Sequence, residues 1–329
     1  MKKIVVGIVG YGNLGKGVEE ELKKNSDMEL AAVFTRRPPE SLEIESNKAE
    51  VVNVDEAEKY RDKIDVLFLC GGSATDLPVQ GPKFSRLFNT VDSYDNHNNI
   101  SNYYRKINQN AEAGNNLSAI SIGWDPGLFS LNRMLFEAVL PAAKGYTFWG
   151  RGVSQGHSDA VRRVDGVKDA VQYTIPLEDA LESVREGNNP ELSTDEKHIR
   201  ECFVVAEEGA DKEKIVEEIK SMPNYFAEYE TTVNFITEEE MEKEHTAMPH
   251  GGFVFRSGNT GSRGENSQLL EFSLNLESNP EFTASVLIAY GRAVYQLRKE
   301  GKTGAITIFD IPPAYLSPES NEDLRKRLL

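Results

Sequence analysis

Three glycines, Gly10, Gly12 and Gly15, stand at GxGxxG spacing in Gly10-Tyr11-Gly12-Asn13-Leu14-Gly15. An apolar run from Met1 to Val9 precedes them and a helix-like stretch from Lys16 to Asn25 follows. Strand, glycine turn and helix in that order can hold a dinucleotide. Gly10 turns the chain tightly, Gly12 admits a pyrophosphate to the backbone, and Gly15 lets helix and strand pack closely, with the helix N–H groups facing the anion. A second run, Leu30 to Phe34, ends in Thr35-Arg36-Arg37, where a chain selecting NAD carries an acidic residue against the ribose hydroxyls. A carboxylate there repels a 2′-phosphate, whereas a guanidinium accepts one through paired charge-assisted hydrogen bonds, so the arginines predict NADP. The motif alone is a weak signal, and arginines at a strand end are commonly just solvated. Their position after two successive strands favours the dinucleotide.

NADP implies hydride transfer, for which the protein must hold a substrate carbon about 3–3.5 Å from the nicotinamide. Asp95 and Asp125 each follow a predicted strand end, and two carboxylates suit an ammonium group or a water that must lose a proton. Asp is also a frequent turn former, and Asp125-Pro126 is a turn dipeptide. Further along, Arg200 at the head of a strand, Thr174 on the polar face of another, and His250 could together clamp a carboxylate. Taken singly they read as a surface charge, a β-former and a loop histidine. His245 and His250 do not have the HExxH spacing of a zinc site, so no metal is expected. Trp149 reads first as core. The polar, glycine-rich Gly150 to Asp159, containing Gln155 and Gly156, reads as a loop over a site. Asn279 caps a helix, a position that can also meet a carboxylate.

The elements that must position these residues are legible in outline. Short apolar runs at 3–9, 30–35, 65–70, 89–92 and 118–122 alternate with helical or polar segments, the rhythm of a doubly wound parallel sheet. Ligands of such sheets lie outside the strands' carboxyl ends. This picks out Gly71-Gly72-Ser73-Ala74-Thr75-Asp76, then Ser93-Tyr94-Asp95-Asn96-His97, then Gly123-Trp124-Asp125-Pro126-Gly127. Beyond about residue 145 the pattern becomes period-two. Leu270, Phe272, Leu274 and Leu276 alternate with polar residues, as do Val171, Tyr173 and Ile175, and Val233 and Phe235, predicting a mostly antiparallel sheet with one free face. Helices are expected at Asp211 to Met222, at the charged Thr237 to Glu244, and from Pro280 to about Glu300 with Gly301 past its end. Ala305 to Phe309 reads as a further strand. The expected division is a nucleotide-binding domain at 1–122, a substrate-binding and dimerisation domain at 123–279, and a C-terminal helix and strand at 280–329 packing back on the first.

At 329 residues, two domains are the natural expectation. The 37 basic against 53 acidic residues give a net charge of −16, and no basic cluster is long enough to follow a phosphate backbone, which argues against nucleic acid. No apolar stretch is long enough to span a membrane and no secretory cleavage pattern follows Met1, so a soluble cytoplasmic protein is expected. Cys70 and Cys202 lie in apolar runs and read as buried thiols.

Gly10 to Gly15, Arg36-Arg37, Val66 to Cys70, Gly72 to Asp76, Thr90 to His97, Gly123 to Gly127, Thr147 to Gly150, Ser154 to Asp159, His245 to Gly252 and Asn279-Pro280 together resemble the meso-diaminopimelate D-dehydrogenases over essentially the whole chain. The resemblance implies NADP-dependent oxidative deamination of meso-2,6-diaminopimelate at its D-centre, giving ammonia and L-2-amino-6-oxopimelate, which cyclises to tetrahydrodipicolinate. The reverse direction feeds lysine and cell-wall synthesis. It implies that Asp95 and Asp125 meet the D-centre amine, with Trp124 and Gln155-Gly156 enclosing that end. Thr174, Arg200, His250 and Asn279 would hold the distal L-centre, with Trp149 lining the pocket. The cofactor would lie on residues 10–15 and 35–37, on Cys70 to Thr75, and on Ser93, Tyr94, Gly123 and Pro126. One departure is Gly71, where part of the family carries a bulkier residue. The period-two sheet and the resemblance both suggest a homodimer. Two other readings stay open: a related NADP-linked enzyme, such as a D-amino acid dehydrogenase of broader range, and a non-catalytic NADP-binding regulatory protein.

Overall fold

Seven short strands pair as one all-parallel sheet. They are β1 (Ile4–Val9), β2 (Met28–Thr35), β3 (Glu50–Asn53), β4 (Val66–Leu69), β5 (Thr90–Asp92), β6 (Leu117–Ala119) and, from the far end of the chain, β14 (Gly304–Ile306), in the order β14-β6-β5-β4-β1-β2-β3. The computed structural model describes residues 2–329; Met1, which begins the first apolar run, lies outside them. Helices α1 (Asn13–Leu22), α2 (Leu77–Ser85) and α3 (Ile100–Gly114) connect the strands. Val6, Ile8, Val66 and Phe68 point to one face, where they pack with Val18 of α1 and with Ala284, Leu287 and Val294 of the long helix α9 (Asn279–Lys299). Val9, Phe34, Leu67 and Leu69 point to the other, against Leu77 and Phe84 of α2 and Tyr103 and Ile107 of α3. Burial on both faces is why these strands read as continuous apolar runs.

Chain contacts divide the molecule into two compact units, Asn132–Asn279 forming one and the remainder, with Pro280–Leu329, the other. Residues 123–131 thus cluster with the nucleotide-type sheet. β3 carries no sequence signal beyond two valines. Two runs are shorter than the sequence suggests. The one at 118–122 leaves the sheet after Ala119, with Ser121 at φ +56°, and the one at 305–309 pairs only through Ile306 before Thr307 caps a 3₁₀ turn at Ile308–Asp310.

In the second unit the expected single sheet is two. β7 (Lys144–Trp149), β12 (His250–Thr260) and β13 (Asn266–Leu276) form an antiparallel sheet. β8 (Gly152–Val153), β9 (Val167–Pro176), β10 (His198–Ala206) and β11 (Thr231–Phe235) form a second, with β10 and β11 parallel. α5 (Gln155–Arg162) and α7 (Lys212–Ser221) cover one face of the four-stranded sheet, and Met241 of α8 (Glu238–Glu244) covers the other. Gln172 and Thr174 are therefore buried, and the expectation of a free polar face on β9 is corrected. α6 (Glu178–Arg185) packs on Phe148 and Phe255 of the three-stranded sheet. On β13, Leu270, Phe272 and Leu274 are only half-buried. α4 (Leu128–Val139) and the peripheral α10 (Asn321–Leu328) complete the helices.

The loop expected at 150–159 is also corrected. Gly152 and Val153 pair with Thr174 and Tyr173, and Ser154 then caps α5, its Oγ accepting from the His157 N–H.

Candidate active site

The glycine turn leaves β1 at the point where strand order reverses. A Cβ on Gly15 would lie 2.1 Å from the Gly10 carbonyl oxygen, which fixes glycine there by contact between helix and turn. Gly10 has φ +89°, the left-handed region that glycine enters at little cost. A Cβ on Gly12 would meet no protein atom within 4 Å, and Gly12 offers no capping side chain to α1. The turn therefore fits a pyrophosphate on the helix N-terminus. Tyr11 is fastened through its hydroxyl to buried Glu19, which also accepts from the Ser46 N–H at 2.7 Å.

Arg37 donates to the Tyr11 carbonyl at 3.0 Å, lying across the turn, and its N–H donates to Thr35 Oγ1. Arg36 is 70% exposed and pairs with Asp76 at 2.9 Å. Asp76 also accepts from the Gly72 N–H at 3.1 Å, so it joins the loop after β4 to the arginine after β2. Asp76 closes the segment at 71–76 but is not among the site residues expected from sequence; its partner arises only when two distant strand ends adjoin. Gly71 has a local reason, since a Cβ there would sit 2.6 Å from that of Asp76. Cys70 is half-buried at the end of β4, whereas Cys202 is fully buried, and both are free thiols.

Asp95 is exposed, and its N–H donates to Ser73 Oγ at 3.1 Å, so the loops after β4 and β5 touch. Asp125 is half-buried in a tight turn: Trp124 bridges Gly127, and the Gly123 and Trp124 carbonyls accept from Leu128 and Phe129 as α4 begins. The Asp125–Pro126 peptide is cis. Gly127 has no alternative, because a Cβ would be 1.8 Å from the Gly123 oxygen. Trp124 is buried edge-on against Phe129, and half-buried Ser93 and buried Tyr94 lead into Asp95.

In the second unit, β-pairing sets Arg200 opposite Thr174 and Thr174 opposite Gly152. The Arg200 guanidinium hydrogen-bonds Thr174 Oγ1 and lies 3.9 Å over the Tyr229 ring. It is 5% exposed, its Nε has no hydrogen-bond partner, and it makes no ion pair among the described residues. Burial lowers it from its ordinary value, opposed by Tyr229. The surface-charge reading of Arg200 is thereby overturned. Gly152 lets His250 approach, since a Cβ there would fall 2.6 Å from the imidazole. The Gly251 N–H donates to His250 Nδ1 at 2.9 Å, which fastens the imidazole to the start of β12.

Gln155 reaches Met248 through its amide, the Asn279 N–H donates to the Met248 carbonyl at 3.0 Å, and Gly156 follows Gln155 in the first turn of α5. Thr174, Arg200, His250, Gln155 and Asn279 are thus linked through one set of segments. Trp149 is half-buried, its N–H donating to His198 Nε2 at 2.9 Å. Two neighbours are held neutral, primarily by burial and then by the Arg200 charge: His157 is lowered to about 4 and His198 to about 3. His157 lies within the Ser154 to Asp159 segment, whereas His198 and Tyr229 carry no periodicity or motif signal that would have marked them.

Residues 123–278 match the family model described as the diaminopimelic acid dehydrogenase C-terminal domain. The meso-diaminopimelate D-dehydrogenase of Ureibacillus thermosphaericus is 61% identical over 329 residues, covering all of both chains. The solved structure of the Corynebacterium glutamicum DAP dehydrogenase in complex with DAP superposes with a TM-score of 0.93 at 47% identity, covering all of both chains. An engineered D-amino acid dehydrogenase bound to NADP+ superposes with a TM-score of 0.88 at 46% identity, again over all of both chains. Coverage and identity of this order extend over both units, and the chain belongs to the meso-diaminopimelate D-dehydrogenase family.

Proposed function

We propose that the chain catalyses reversible NADP-dependent oxidative deamination of meso-2,6-diaminopimelate at its D-centre, giving ammonia and L-2-amino-6-oxopimelate, which cyclises to tetrahydrodipicolinate. The reverse direction would supply lysine synthesis. Bound NADP supplies the hydride acceptor. The glycine turn, Arg36 and Arg37, and the loops holding Cys70 to Thr75, Ser93, Tyr94, Gly123 and Pro126 orient it. Asp95 and Asp125 bind the D-centre ammonium and take its proton, and a water then attacks the substrate imine; Trp124, Gln155 and Gly156 exclude bulk solvent. Thr174, Arg200, His250 and Asn279 hold the L-centre carboxylate, with Trp149 beside it.

The observation that carries this reading is the buried guanidinium of Arg200, which pairs with no carboxylate among the described residues. A buried charge is costly until paired, so the site favours an anionic ligand group. A clamp at one end only would distinguish two chemically equivalent amino-acid heads. Arg200→Met is expected to raise KM for the meso diacid roughly 100-fold with the NADP dissociation constant unchanged within about twofold. An unchanged KM would overturn the clamp.

The same reading includes a homodimer, supported by the half-buried apolar residues on β13. It also places the enzyme in the cytoplasm, in keeping with the two free thiols. No helix among the described residues is long and apolar enough to cross a membrane.

A further inference from the structure

Asp92, the last residue of β5, is buried yet carries a carboxylate that receives three hydrogen bonds. Its Oδ1 accepts from the Tyr94 N–H at 3.0 Å and the Ser121 N–H at 3.2 Å, and its Oδ2 accepts from the Tyr103 hydroxyl at 2.7 Å. Its main-chain carbonyl accepts from the Ile122 N–H at 2.8 Å. One residue therefore fastens two separate loops. Tyr94 directly precedes Asp95, and Ser121 and Ile122 lead into the turn that holds Asp125.

The surroundings make the anchor stiff. The Tyr94 and Tyr103 rings stack at 4.0 Å and 12°, and Asn99 donates to the Tyr94 hydroxyl at 2.9 Å. Ser121 is held at φ +56°, a conformation a non-glycine residue seldom adopts unless its neighbours impose it. An apolar side chain would fill the same space at lower desolvation cost but could accept none of these donors. A local Asx turn accounts for the bond to Tyr94 alone. It does not account for Ser121 or Tyr103.

We infer that Asp92 is a positioning residue for the deamination, holding the loops of Asp95 and Asp125 in one fixed arrangement. The inference rests on the reading of those two aspartates as the amine-binding pair. Displacing reacting groups by about 1 Å costs on the order of 100-fold in rate, so loss of a shared anchor should appear in turnover before it appears in cofactor binding.

The test measures kcat/KM for meso-diaminopimelate and the NADP dissociation constant in the full-length protein carrying Asp92→Ala, Asp92→Asn or Tyr103→Phe. Asp92→Ala should lose roughly 30-fold or more in kcat/KM with NADP affinity within about twofold. Asp92→Asn should stay within about fivefold, because its amide oxygen still accepts both N–H groups. Tyr103→Phe should lose about threefold or more, and it decides by the same criterion if Asp92→Ala does not fold. The inference is overturned if Asp92→Ala and Tyr103→Phe turn over at the parent rate, or if NADP affinity falls by the same factor as kcat/KM. Asp95→Asn and Asp125→Asn are measured alongside. Their inactivity beside a fully active Asp92→Ala would remove only the anchor, whereas parent-level activity in both would remove the amine-site reading itself.

Discussion

Arg36 and Arg37 are adjacent but have different tasks. Arg37 is committed to the glycine turn through the Tyr11 carbonyl, while Arg36 is exposed and paired with Asp76. An exposed ion pair contributes little stability, so a phosphate can compete for Arg36 at small cost. Replacing both, Arg36→Ala with Arg37→Ala, should weaken NADPH binding roughly 10- to 100-fold and NADH binding by less than about threefold, measured by fluorescence titration. Equal losses would remove the 2′-phosphate argument. Both arginines and all three glycines stand out in the sequence because the reading of them depends on local spacing. Tyr229 does not, and the ties of Asp76 and Asp92 are hidden although both lie in segments the sequence singles out, because each of these contacts comes from a partner distant in sequence.

The elements differ in legibility for equally physical reasons. α9 is announced by Asn279-Pro280 at its start and Gly301, at φ +86°, beyond its end. α5 is short, contains Gly156 and has little apolar periodicity, so it resembles a loop until Ser154 is seen to cap it. α9 is fastened by Arg292, 4% exposed, which pairs with Asp27 at 2.6 Å and also donates to Asn25 and to the Leu316 carbonyl. The guanidinium in turn holds the Asp27 carboxyl below its usual range. Arg292→Leu leaves these acceptors unpaired and should destabilise the nucleotide-binding unit by about 3 kcal/mol, read from urea denaturation. A loss below about 1 kcal/mol would show that α9 is held by its apolar face alone.

At the scale of the molecule, the alternation of runs revealed the parallel sheet, but period-two strands do not say which partners they take, so two sheets read as one. The buried histidines also give the molecule an expected acid sensitivity. His157 and His198 accept protons near 6.5 when unfolded but only near about 4 and about 3 when folded, so their stability is present above 6.5 and lost as pH falls. Asp92 opposes them: burial raises it to about 6, so the fold gains from its protonation below that pH. His198→Gln should flatten the decline between pH 6 and 4 by up to about 1.4 kcal/mol per pH unit. Parallel curves of urea-unfolding free energy against pH for parent and variant would contradict this.

The central claim is that the reaction takes place at one end only, the D-centre, of a nearly symmetric diacid. Its most direct measurement uses meso-diaminopimelate deuterated at both α-carbons, incubated with NADP and followed by mass spectrometry of both products. The account predicts that deuterium from the D-centre moves to the reduced cofactor, that the amino-oxo product keeps its deuterium at the L-centre, and that the L,L isomer releases no ammonia. Loss of deuterium from the L-centre, or turnover of the L,L isomer at a comparable rate, would contradict it.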